Sequence, residues 1–449
     1  MVTAVYAEGK IVAAGGDVLV HNYSDPGSWA MLGRLVATAG VDVLYAFHEL
    51  PTEVGDKVEV EDAGDGWRWL ISGLDEAGRP FKVFVVRPEG DGEGISGPWV
   101  GCDSRLVWMA LTAFERAVGV PWAESIGRTA ERLILDTHPV ARGGRRLDRV
   151  TAFWPEPVLG GNLELPYGSW RRELTPTERK ADWVHVFDAN AQYLSAWSGA
   201  VLGHGEPVHH QAPAFDRRRA GVWRLDGIPP NLRPELPPVA LPGREWFTTP
   251  TVDRLLEVCD GSDAPMVVEA WIWPEQSRYL RAAAERMRNA RDMIGAAQTA
   301  CQIEIRHPRA EVAARGITNS IVNELALEMI KSLYRVETGR FNMGAREASR
   351  WFRPDWGHTI RALARCNLHR RLWQLGVAPF AIATDGLVFA SDEPSGRAFA
   401  AQIRLPLGDG LGQYRHEATV PRLDLEGQLD ERTGQLMRAI GKAAAADGA

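Results

Sequence analysis

The chain has 449 residues, 45% of them hydrophobic and 24% charged, which is ordinary for a globular protein of two or three domains and excludes the disordered and fibrous classes. No run reaches the roughly 18 apolar residues of a membrane span, and no charged-then-apolar leader opens the chain, so a cytoplasmic protein without a membrane partner is expected. The net charge of −7 hides an asymmetry: residues 1–100 hold 16 acids against 7 bases, and the other 349 residues carry +2.

Residues 1–100 read as strands. Apolar runs at 11–12, 18–20, 41–47, 67–71 and 81–86 are separated by Gly-Asp-rich turns. Helical patterns follow over 106–118 and 122–135, and a Pro/Gly/Arg-rich link at 138–150 marks a domain boundary. The apolar run before Asp188 reads as a strand, 205–245 as a Pro-rich irregular stretch, and 265–273 as another strand. Arg-rich helices run from about Ser277 to Leu375; Arg278–Arg315 has eight arginines against four acids, and Arg335–Arg371 nine against three, segments suited to a phosphate-binding surface. A strand-turn-strand surrounds Asp385, a strand spans 411–422, and the last helical turns fade toward the C-terminus. Cys102, Cys259, Cys301 and Cys366 lie far apart, form no C-x-x-C pair and read as reduced thiols.

The most informative residue is Asp385, set in the apolar run Phe380–Ala390. A buried carboxylate is costly unless something positive holds it. Asp188, 197 residues earlier, closes a matching run. Two aspartates ending strands are what a two-metal phosphoryl-transfer site needs, although an aspartate after a strand is also an ordinary turn residue.

The neighbours of these aspartates resemble the motifs of family B DNA polymerases, over about residues 150–425. Asp188-Ala189-Asn190-Ala191-Gln192-Tyr193-Leu194-Ser195 is similar to motif A, D-x-N-S-L-Y-P-S; Ala383-Thr384-Asp385-Gly386 to motif C, D-T-D-S; and Arg315 to Asn323, with Asn319-Ser320, to motif B, K-x-x-x-N-S-x-Y-G. Gly160-Gly161, 28 residues before Asp188, resembles the Y-x-G-G element, and Leu411-Gly412-Gln413-Tyr414-Arg415-His416-Glu417 the L-G-x-W-x-x-E strand of the protein-primed branch.

The resemblance implies an α+β fold: an antiparallel-sheet palm with helical fingers, a small or absent thumb, and an N-terminal α/β domain that is a degenerate RNase H-like exonuclease. The segments would be 1–150 for that domain, 151–275 for the first palm segment, 276–345 for the fingers, 346–425 for the second palm segment, and 426–449 for a residual thumb or tail. It implies Asp188, Asp385 and the Ala189 carbonyl as ligands of two Mg²⁺ or Mn²⁺ ions, with both aspartates catalytic. Tyr193 would pack under the incoming sugar and exclude a 2′-hydroxyl. Arg315 would grip the triphosphate with Asn319 one turn on, helped by Arg288 and Arg291. Gly160, Gly161, Thr384 and Tyr414 would contact DNA. The partners would be dNTPs and a DNA primer-template or single-stranded DNA, and the protein-primed branch adds a priming or terminal protein.

Four departures shape the expected activity. Ala383 replaces the first acid of motif C, Val322 and Asn323 replace the tyrosine and glycine of motif B, little chain remains for a thumb, and the only D-x-E in residues 1–150, Asp91-Gly92-Glu93, sits in a glycine-rich stretch. The expectation is a compact DNA polymerase without proofreading, of phage or mobile-element type. The alternatives are an inactive polymerase-like nucleic-acid-binding replication or initiation factor, and a template-independent transferase or primase.

Overall fold

A computed structural model of the chain describes strand backbone within residues 3–20 and, from residue 28 onward, all but short stretches. The longest of these are 47–52, 63–67, 87–103, 139–153, 160–168 apart from Leu163, and 342–350. Gly160, Gly161 and Asp91–Glu93 therefore lie outside the described residues. The chain is a mixture of helix and largely antiparallel sheet, divided into two compact units: 1–138 with 285–337, and 139–284 with 338–449.

In the first unit, β1 (Thr3–Ala7), β2 (Lys10–Ala13) and β3 (Val18–Val20) form an antiparallel meander. Helix α1 (Trp29–Thr38) precedes β4 (Val43–Ala46), and β5 (Val58–Asp62), β6 (Arg68–Leu74) and β7 (Pro80–Val86) follow. Their sheet has the order β3-β2-β1-β4-β7-β6-β5, with β4 parallel to both β1 and β7. Helix α1 breaks the expected run of strands. Its Trp29, Leu32 and Val36 pack on Leu44, Ile71, Val83 and Val85, and Gly33 makes the approach possible, since a Cβ there would lie 2.8 Å from Ile71. Helices α2 (Ser104–Val118) and α3 (Ile126–Thr137) match the sequence reading closely.

The second unit begins with α4 (Glu156–Leu159), β8 (Trp170–Arg171), β9 (Trp183–Ala189) and α5 (Gln192–Gly199). Residues 202–277 then give β10 (Leu202–His204), β11 (Val208–Gln211), β12 (Gly221–Asp226), β13 (Trp246–Thr248), α6 (Thr249–Val258), β14 (Met266–Ile272) and β15 (Glu275–Ser277). Strands β11 and β12 lie in the stretch 205–245 expected to be irregular, and they join β13 and β14, the strand expected over 265–273, in a separate four-stranded sheet, β11-β14-β12-β13, with Trp223, Phe247 and Ala270 packed on Val252 and Leu255 of α6.

Residues 285–337 belong to two long helices, α7 (Arg281–Ile305) and α8 (Ala310–Arg340). Within the first unit they form an antiparallel hairpin, tied by Arg315 to Glu304, Gln298 to Ser320 at 2.8 Å, and Arg291 to Tyr334 at 3.3 Å. At the tip, a Cβ on Gly316 would sit 2.8 Å from the backbone nitrogen of Ile305. Helix propensity alone favours Gly316→Ala by about 1 kcal/mol. The collision with backbone reverses that sign. We expect the variant to lose about 1–3 kcal/mol, read as a lower urea midpoint, and a gain in stability would refute the close approach.

The chain continues through α9 (Pro354–Leu375), β16 (Ala381–Ala383), β17 (Gly386–Ser391), α10 (Gly396–Gln402), β18 (Tyr414–Pro421) and α11 (Thr433–Asp447). Pro354 opens α9, and Gly376, with φ 71°, closes it. The five-stranded sheet β18-β9-β17-β16-β8 is antiparallel throughout. One face buries Phe187, Leu387 and Phe389 under Leu368 and Leu372 of α9 and Phe399 of α10. The other buries Val184, Val186, Val388 and Val420 under Leu436 and Ile440 of α11. Strand β9 is thus covered on both faces, which is why it reads as a continuous apolar run. In the segment 426–449, expected to be a residual thumb or tail, α11 closes the second face of this sheet.

Candidate active site

Register fixes the centre of the site. Asp188, near the end of β9, lies opposite Gly386 of β17 on one side and Arg415 of β18 on the other, and Gly386 lies opposite Ala383 of β16. Directly opposed residues of an antiparallel ladder share a face. Ala383, Gly386, Asp188 and Arg415 therefore make one row across four strands. Alternation from Val186 and Val388 puts that row on the α11 side, and Met437 of α11 would contact a Cβ built on Gly386 at 3.7 Å.

Asp385 occupies the second position of the two-residue turn joining β16 to β17, and its carbonyl accepts a hydrogen bond from Ala189 N–H at 3.0 Å. Two aspartates far apart in sequence thus end on hydrogen-bonded strands, which run about 4.8 Å apart. Both are half-buried. In an extended residue the carbonyl points to the same strand edge as the N–H, so Ala189 C=O faces the Asp385 turn too.

The backbone is strained on both sides of the pair. Thr384 has φ 56° and Ala191 φ 55°, a left-handed conformation that costs a residue other than glycine about 1–3 kcal/mol. Thr384 turns the hairpin so that Asp385 reaches the end of β9. Ala191 bends the chain from β9 directly into α5. Asn190 is buried and braces that bend: its N–H donates to Gln413 C=O at 2.8 Å and its Nδ2 to Gly410 C=O at 3.3 Å.

Tyr193 lies in the first turn of α5, half-buried. Burial pushes its phenol up, the Arg361 guanidinium pulls it down, and the Asp385 charge raises it. The phenol therefore sits within electrostatic reach of both groups. Gln192 Nε2 donates to Ala364 C=O at 2.9 Å, locking α5 to α9 one turn beyond Arg361.

The other expected residues fare differently. Tyr414 is 3% exposed, packed with Phe187 and Leu405, and burial raises its phenol to about 12, so it is a core residue and the DNA-contact expectation is corrected. Thr384 is exposed at its turn. Arg315, Arg291, Arg288 and Asn319 belong to the first unit. There Arg315 pairs with Glu304, buried Arg291 donates to Tyr334, Arg288 is exposed and Asn319 half-buried.

In the second basic segment three arginines are engaged within the fold, while Arg335 is exposed. Arg353 forms a buried ion pair with Asp355, buried Arg365 donates to Thr251, and Arg370 pairs with Asp253 and Glu257. Arg370, Asp253 and Glu257 line a groove of about 810 Å³ with Phe215 and Arg217, away from the aspartate row. Sequence reasoning missed Arg361 and Arg415. Strand alternation counted back from the core residue Val420 would not have found Arg415, because a bulge at Glu417 shifts the register of β18.

The donor set at the centre is all oxygen: two carboxylates and the Ala189 carbonyl. That chemistry suits Mg²⁺ or Mn²⁺ rather than a soft metal. Among the described residues no group of three or more His, Cys, Asp or Glu side chains is placed to hold a metal, so the pair would have to bind with few protein ligands.

No family model matches the sequence, and no curated protein matches it. Among solved structures, the chain is similar to Phi29 DNA polymerase in its ternary complex with primer-template DNA and incoming nucleotide substrates, with 10% identity over 94% of this chain and 84% of that one and a TM-score of 0.48. The same polymerase in its post-translocation binary complex with primer-template DNA gives 12% identity, the same coverage and a TM-score of 0.48. In complex with single-stranded DNA it gives 11% identity over 84% and 76%, with a TM-score of 0.44.

Proposed function

We propose that the chain is a template-directed DNA polymerase that transfers nucleotides from dNTPs to a primer 3′-hydroxyl and lacks proofreading. The observation that carries this is the meeting of Asp188 and Asp385 on hydrogen-bonded strands, with Ala189 N–H bonded to the Asp385 carbonyl. Two Mg²⁺ or Mn²⁺ ions held by Asp188, Asp385 and the Ala189 carbonyl would activate the hydroxyl and neutralise the triphosphate. The five-stranded sheet serves as palm, and α7 and α8 as fingers. Tyr193, braced by burial beside Asp385, is the group we assign to packing under the deoxyribose. The N-terminal sheet is read as a degenerate exonuclease: its three parallel strands β1, β4 and β7 contain no aspartate or glutamate. In the described residues no helix is long and apolar enough to cross a membrane. The proposed setting is the replication of a phage or mobile element in the cytoplasm.

The test is primer extension with dNTPs in Mg²⁺ and in Mn²⁺. We expect template-copied product and no shortening of the primer in the absence of nucleotides. Extension of unprimed single-stranded DNA would instead identify a transferase or primase. Ala383 and the placement of Arg415 opposite Asp188 favour a second reading, an inactive nucleic-acid-binding replication factor. Salt-sensitive DNA binding by folded protein with no incorporation in either metal would select it.

A further inference from the structure

The row Ala383–Gly386–Asp188–Arg415 holds one carboxylate and one guanidinium. The nearest acid on β18, Glu417, is exposed and displaced from the ladder by the bulge, so it does not join the row. An arginine directly across from a metal-binding aspartate weakens that aspartate's hold on a cation by simple Coulomb repulsion. The same arginine strengthens the hold on an anion. Its fork has five donors, enough to bond a carboxylate and a phosphate oxygen together. A second guanidinium, Arg361, stands on α9, the helix that the Gln192–Ala364 bond ties to α5 at Tyr193, and its charge acts on the same Tyr193 phenol as that of Asp385. Meanwhile two of the three fingers arginines expected to grip the triphosphate, Arg291 and Arg315, are engaged with Tyr334 and Glu304, and the third, Arg288, is exposed.

Building on the polymerase reading, we propose that Arg415, directly opposite Asp188, is the phosphate-gripping residue of this site and binds the nucleoside triphosphate from the sheet. With two aspartates and two arginines the site is close to neutral. A bare divalent cation gains little there, whereas a metal–triphosphate complex satisfies carboxylates and guanidinium at once. Metal and nucleotide therefore bind as a coupled pair, each raising the other's affinity.

The experiment measures two affinities without turnover: Mn²⁺ alone, from the free-ion paramagnetic resonance signal, and dATP with Ca²⁺ in place of a catalytic metal. For Arg415→Gln we expect Mn²⁺ to bind several-fold tighter and dATP about tenfold weaker. Arg415→Lys, which keeps the charge and loses the fork, should leave Mn²⁺ binding unchanged and recover some of the dATP affinity. Weakening of both ligands together would reduce Arg415 to a structural residue and overturn the proposal. Tighter Mn²⁺ with unchanged dATP would also overturn it, since the arginine would then only neutralise Asp188. An Asp188→Asn, Asp385→Asn double variant separates the premise from the proposal. If, with dATP present, it binds Mn²⁺ as tightly as the parent does, the metal site and the polymerase reading fail whatever Arg415 does.

Discussion

On the polymerase reading, Asp385→Asn is expected to abolish nucleotide incorporation, lowering the rate of primer extension in Mg²⁺ by about 10³-fold or more while leaving the fold intact. The magnitude follows from the inventory of the site. No group of three or more metal-ligating side chains is found among the described residues, so losing one of the two paired aspartates leaves little to hold a cation, and the several kcal/mol that bound metal would supply is worth three powers of ten or more in rate. The fold survives because Asp385 sits half-buried in a two-residue turn, where an isosteric amide keeps the shape and the backbone bond from Ala189 is untouched. Asp188→Asn should behave alike. The double variant should be no worse than either single one, because residues that work as a unit lose their effect together. Ala383→Asp pushes the other way: it adds a carboxylate to the Asp188 row and should tighten Mn²⁺ binding. Equal incorporation by wild type and Asp385→Asn, in a folded protein, would end the two-metal reading.

The aspartates are legible because their sequence context is abnormal for an acid. Each ends an apolar run that only a buried strand explains, and β9, β16 and β17 fall where those runs are. The rest of the site is less visible for reasons that differ by residue. Tyr414 stands in a motif position yet faces the α9 side of the sheet, so periodicity rather than motif matching decides its role. Arg291 carries charge in a basic segment, and the hairpin of α7 and α8 buries its stem and turns its fork to Tyr334. Composition records the charge and not the tertiary partner. Of the sheet β11-β14-β12-β13 only β14 is legible in the sequence; β11 to β13 escape because they are short, and a proline-rich connection separates β12 from β13, so no window there shows a clean strand period. Strand β5, Val-Glu-Val-Glu-Asp, hides behind its acidity, which suits a partly solvated edge strand and resembles a loop.

The C-terminal helix gives the second large effect. Leu436 is fully buried and Ile440 2% exposed, and both meet the β9, β17 and β18 valines on the face that carries Asp188. Truncating a buried Leu or Ile to Ala costs about 2–5 kcal/mol at each site. A domain's whole stability is about 5–15 kcal/mol. The double variant Leu436→Ala, Ile440→Ala should therefore unfold the five-stranded sheet near physiological temperature. Deleting 433–449 should do so outright, by uncovering Val184, Val186, Val388 and Val420 together. Amide hydrogen exchange in β9 and β17 reads this directly, with protection lost in both variants. The exposed face of the same helix supplies the control: Arg438→Ala and Lys442→Ala should stay within about 0.5 kcal/mol of the parent. A thumb-like appendage predicts the reverse pattern, in which deletion leaves the sheet protected and only weakens the grip on duplex. Protection of β9 amides after deletion of α11 would restore that picture. Their loss would mean that the helix supports the Asp188 row from the same face of the sheet, through Met437 against Gly386, and that its contribution is the rigidity of the row.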